Sequence, residues 1–214
     1  MCLMAIITIF ASCSKDDDPS LPGATNDTAI IVPFFIQNEN GEIPTSNDQL
    51  IYETRKNNPV LAPDGHQLTW GEFSEVEGQA DVQCQDNGVL VDVELTGLIP
   101  NGVYTLWNIV FEEPGMDPTK EMLGLSGLGA SGIGDGSDNS FVASADGKAT
   151  LSVLSPGGSL SMISNTDLGQ CPLTDNFEWH VVGAYHIDGT NHGPSLGPDG
   201  TAIEQFGFIF KKEE

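Results

Sequence analysis

The stretch GVLVDVELTGL, residues 88–98, constrains the fold more than any other part of this chain. Val89, Val91, Val93 and Leu95 alternate with Leu90, Asp92, Glu94 and Thr96, so one face is apolar and the other largely polar. A strand of that kind is half-buried and belongs to an antiparallel sheet covered on one side. Further β-branched and aromatic runs recur at 29–36 (AIIVPFFI), 67–73 (QLTWGEF), 79–84 (QADVQC), 103–111 (VYTLWNIVF), 178–187 (EWHVVGAYHI) and 205–210 (QFGFIF). Asp86-Asn87-Gly88 marks a tight turn, and SFVASADGKATLSVLS (140–155) reads as a hairpin turning at Asp146-Gly147. Pro33 marks an edge or a bulge, residues 37–66 read as a polar surface excursion, and no helical stripe exceeds two turns. With 25 glycines and 13 prolines among 214 residues, the expectation is one all-β domain. Its most economical form is an antiparallel β-sandwich of immunoglobulin-like, Greek-key type with long loops. Leu98, Pro100, Gly102 and Tyr104 have the spacing of a tyrosine corner, whose hydroxyl bonds back to the backbone upstream.

The amino terminus carries a different signal. Residues 3–12, LMAIITIFAS, are too short to span a bilayer and read as the apolar part of a secretory signal. The following Phe-Ala-Ser-Cys resembles a lipobox, and SKDDD after it resembles the surface-export signal of Bacteroidetes-type outer-membrane lipoproteins; no Lys or Arg precedes the apolar run. This resemblance implies a signal peptide over 1–12, lipid on Cys13, a flexible acidic tether over 13–28 and the β-domain over 29–214. It places the chain at the outer membrane, lipid-anchored and exposed at the cell surface. Cys2 would leave with the signal and Cys13 would be acylated, which leaves Cys84 and Cys171 to form one disulfide in an oxidising compartment.

Seven basic against 31 acidic residues give a net charge of −24. That field repels nucleic acid and anionic headgroups and suits cations or simple solubility.

The succession LTWGEF, GQADVQC, GVLVDVELTGLIPNGVYTLWNIVF, ADGKATLSV and HVVGAYHIDGTNHGP resembles a group of secreted bacterial β-domain proteins. These share a Leu-x-Pro-x-x-x-Tyr-Thr-x-Trp strand and a late strand ending near His-Gly-Pro. The resemblance covers residues 67–210 and implies architecture without an activity; five additional residues, IDGTN, precede His-Gly-Pro here.

Chemistry has few candidates. His180, His186 and His192 recur every six residues. On one extended strand His180 and His186 would lie about 20 Å apart, beyond a shared ion unless Gly183 breaks the strand. A three-residue loop centred on Gly189 would set His186 opposite His192, where two imidazoles with Asp188 or Glu178 suit zinc or copper. The Gly-rich segment 124–141 lacks the Lys of a phosphate cradle, and its Asp135, Asp138 and Asn139 offer oxygens of the kind calcium takes. Ser126, Ser131 and Ser155 stand near glycines without a nucleophile elbow, and Glu112-Glu113 reads as a turn ending a strand. Trp107 and Trp179 read as core, whereas Trp70 is the candidate for stacking on a sugar ring. No catalytic constellation and no organic cofactor motif is evident. The expectation is therefore a non-catalytic binding or accessory module, its partner an outer-membrane complex or a glycan. The alternatives are a metal-binding or metal-dependent protein and a structural or adhesive surface component.

Overall fold

The apolar runs become strands in the computed structural model, which describes residues 21–112 and 124–210. In chain order these are β1 (Gly23–Asn26), β2 (Ile30–Ile31), β3 (Ile36–Gln37), β4 (Tyr52–Glu53), a five-residue helix α1 (Trp70–Ser74), β5 (Glu77–Gln85), β6 (Gly88–Thr96) and β7 (Val103–Phe111). There follow β8 (Leu125–Ala130), β9 (Ser140–Val142), β10 (Ala149–Ser155), β11 (Ile163–Ser164), β12 (Glu178–His186) and β13 (Ala202–Phe210). One sheet has the order β1-β5-β6-β10. The larger runs β11-β8-β7-β12-β13-β2, with β9 also on β7, and β3 pairs β4 apart from both. All pairings are antiparallel, and the two main sheets face each other as a β-sandwich. Among the described residues no helix is long and apolar enough to cross a membrane.

Between the sheets lies a core built from the alternating rows. Val89, Val91, Val93 and Leu95 of β6 meet Tyr104, Leu106, Trp179, Val181, Phe206 and Phe208 of the larger sheet. Burying each such side chain is worth roughly 1.5–3 kcal/mol. The tyrosine corner is formed: the fully buried Tyr104 hydroxyl accepts from the Ile99 N–H at 2.8 Å and donates to Gln205 Oε1 at 2.7 Å. Gln205 Nε2 in turn donates to the Phe73 carbonyl at 2.7 Å, so the corner ties β7, β13 and α1 together. Cys84 on β5 is bonded to Cys171, which precedes β12, closing a separation of 87 residues.

Several local expectations are corrected. Residues 67–73 do not make a strand. Thr69 caps α1, accepting from the Glu72 N–H while the Glu72 carboxylate accepts from the Thr69 N–H at 2.8 Å, and this capping box outweighs the β-like composition. The domain starts before residue 29, because Gly23–Asn26 pairs with the otherwise open edge of β5. Residues 13–20, and Cys13 with them, lie outside the described residues. The excursion 37–66 is not purely superficial, since Ile51, Val60 and Ala62 enter the core. Its buried Glu53 holds a turn by accepting from the N–H groups of Arg55, Lys56 and Asn58. The turn at Asp146-Gly147 is present, but β9 pairs β7 while β10 pairs β6, so it is a crossover between sheets and not a hairpin. The Gly-rich segment is partly a strand, β8. A Cβ at Gly129 would sit 2.6 Å from Ser161 N, which is why glycine is needed where 160–161 crosses.

Candidate functional site

The site candidates gather on the outer face of the larger sheet. Along β12, Trp179, Val181 and Tyr185 face the core, which sends Glu178, His180, Val182, Ala184 and His186 outward. Every residue of β12 is nonetheless buried, so this outer face is covered. In register on β7, Thr105, Trp107, Ile109 and Phe111 face the same way. A bulge opposite Gly183/Ala184 adds Gln205 to β13 and leaves β12 straight. His180 and His186 thus stay at opposite ends of an unbroken strand. Glu178 belongs with His180, 2.5 Å from its Nε2, and not with His186.

At the other end, His186, Asp188 and His192 come together with one ligand atom each, all within 4.8 Å of one another. The route differs from the hairpin expected. His186 pairs with Ala202, so the connection runs over residues 187–201 and His192 lies within it. A turn with Gly189 N–H donating to His186 O starts the fold-back, and His192 Nε2 lies 2.8 Å from Asp188 Oδ2. Gly197, in the left-handed region at φ +84°, makes room for the His192 ring, because a Cβ there would be 2.3 Å from Cδ2. The Gly-rich loop supports the same turn: Gly136 packs on Gly193 and Pro194 so closely that a Cβ has no space.

His186 is fully buried, with Nε2 2.8 Å from Thr105 Oγ1, which also accepts from Trp107 Nε1 at 2.7 Å. Its Nδ1 is buried with no hydrogen-bond partner. Burial lowers the imidazole to about 4, with Asp188 opposing and His192 reinforcing the shift, so the ring is neutral at physiological pH. A neutral imidazole with one nitrogen engaged and the other bare is the form in which histidine ligates a metal.

Beside this cluster is a cavity of about 170 Å³ over Trp107, Ile109, Val182 and Ala184, closed in part by Leu196, Leu128 and Phe35. Glu204 lines it, across from Ala184. The residue is 9% exposed, and burial alone pushes its carboxyl up to about 8. The sequence reading missed Glu204, which lies one residue before the run QFGFIF. The legible signal was a carboxylate at the third position of a strand that, Gln205 apart, is otherwise without polar side chains. Thr105, whose hydroxyl touches His186, carried no signal at all.

The remaining candidates lie elsewhere. Asp135 caps its own turn, accepting from Ser137 N–H, and no grouping of three His, Cys, Asp or Glu side chains among the described residues includes Asp135 or Asp138. Trp70 is half-buried on α1, stacked on Phe73 at 6.3 Å between centroids. Ser126 donates to the Val110 carbonyl, and Ser155 accepts from Asn108 and the Gly132 N–H. Glu112 follows the last residue of β7, while Glu113 lies outside the described residues. Neither a protein-family model nor a curated protein matches the chain.

Proposed function

We propose that this protein is a lipid-anchored binding module of a bacterial outer membrane whose functional site holds one zinc or copper ion on His186, Asp188 and His192. The observation that carries it is the bare, buried Nδ1 of His186, on a ring grouped with two other ligands in a loop held back on the sheet. In the tautomer protonated at Nε2, His186 donates to Thr105, and its second nitrogen keeps a lone pair for the ion. Two imidazoles and a carboxylate are a donor set that suits zinc or copper, and three protein ligands leave one position open. The net charge of −24 raises the local concentration of cations. Support for the anchor is the sequence Phe-Ala-Ser-Cys followed by SKDDD. Protein extracted from its native envelope tests both parts. Mass spectrometry should find an acylated amino-terminal Cys13, and elemental analysis should find close to one zinc or copper per chain. Added zinc should raise the thermal midpoint of the stripped protein, and His192→Ala should abolish that rise. An unmodified amino-terminal methionine ends the anchored reading. Equal shifts in the parent and His192→Ala end the metal reading.

A further inference from the structure

The cavity over Trp107 is separate from the histidine cluster and has its own chemistry. Its walls are aliphatic and aromatic, and its volume of about 170 Å³ exceeds the roughly 150 Å³ in which a buried apolar cavity accepts a benzene ring. One ionisable acid faces it. Glu204 is nine-tenths buried, burial is the sole influence on its carboxyl, and it has no hydrogen-bond or ion-pair partner among the described residues. A buried carboxyl without a partner is costly, and it needs either a proton or a cation brought from outside. The cation already at the rim is otherwise engaged: the Arg55 guanidinium lies 5.4 Å over the Phe35 ring and 3.9 Å from Asp199.

We propose that this cavity is a binding site for a small primary amine with an apolar body, its ammonium group held by Glu204 and its body packed on Trp107, Val182 and Leu128. The acidic surface steers cations toward the opening. A carboxyl held protonated at neutral pH by burial gives up that proton when the ammonium arrives, so binding releases a proton to the buffer. No metal takes part, so the site works or fails independently of His186, Asp188 and His192.

Calorimetry on the full chain, stripped of metal with a chelator, tests this with benzylamine, benzyl alcohol and benzoate at pH 7. Benzylamine should bind, with a heat that depends on the ionisation enthalpy of the buffer, and Glu204→Gln should weaken it at least tenfold. Benzyl alcohol should bind weakly and alike to both proteins, which shows that the cavity of the variant is intact. The proposal is overturned if benzylamine fails to bind, if it binds Glu204→Gln equally well, or if benzoate binds more tightly through Arg55.

Discussion

Glu204 carries a consequence for stability that is independent of any ligand. Burial raises its carboxyl from 4.5 to about 8. Between those values the native chain holds a proton that the unfolded chain has lost, so this group's contribution falls as pH rises through the window. Below it both states are protonated and the residue behaves as a neutral amide would. Glu204→Gln should therefore leave urea stability at pH 4 nearly unchanged and raise it at pH 8 by roughly 4 kcal/mol. Denaturation midpoints of parent and variant across pH 4–9 check this, and parallel curves would refute it. Tyr104 stands at the opposite pole of legibility. Its corner was readable from Leu98, Pro100 and Gly102, because the bond it makes is local, to Ile99. The other half of its environment, Gln205, comes from a strand 101 residues away and left no local trace.

At the scale of the element, β12 and β13 show how one bulge arranges both faces. The inserted Gln205 lets Gln205 and Phe206 both turn inward while Glu204 faces out. The Phe206 ring lies on Gly183, so closely that a Cβ would be 2.0 Å from Cζ. Gly183→Ala should displace that ring and cost about 2–4 kcal/mol, an overpacking and strain penalty at the upper end of what single substitutions do. A thermal midpoint within two or three degrees of the parent would show that the ring moves freely. The long alternating strands were legible because a period of two over nine residues is a strong pattern. Helix α1 was not, since five residues cannot display a helical period and Thr69 and Glu72 only cap it. Strand β1 was not legible either. GATN has no apolar row, and it is a strand because β5 offers it an edge.

For the whole molecule, the disulfide links the two layers. Cys84 is on the smaller sheet, and Cys171 precedes the strand at the centre of the larger one. Closing a loop of that length stabilises by about 4–5 kcal/mol on the chain-entropy argument. The double variant Cys84→Ser, Cys171→Ser should lose about that much in urea unfolding; an unchanged midpoint would mean the sandwich holds its layers together without the crosslink.

Alone, the sequence determined the all-β class, the central strands, the corner at Tyr104 and the pairing of Cys84 with Cys171. It also singled out His186, Asp188 and His192, which lie within seven residues of one another and meet through a local turn. Tertiary structure alone decided that Thr105 would engage one nitrogen of His186 and that Glu204 would sit unpartnered over Trp107. Those placements bring together residues 81 and 97 positions apart, and they follow from strand register and from a bulge. Neither register nor bulge is encoded in a short window. Both emerge when the two sheets settle which rows of side chains they can bury together.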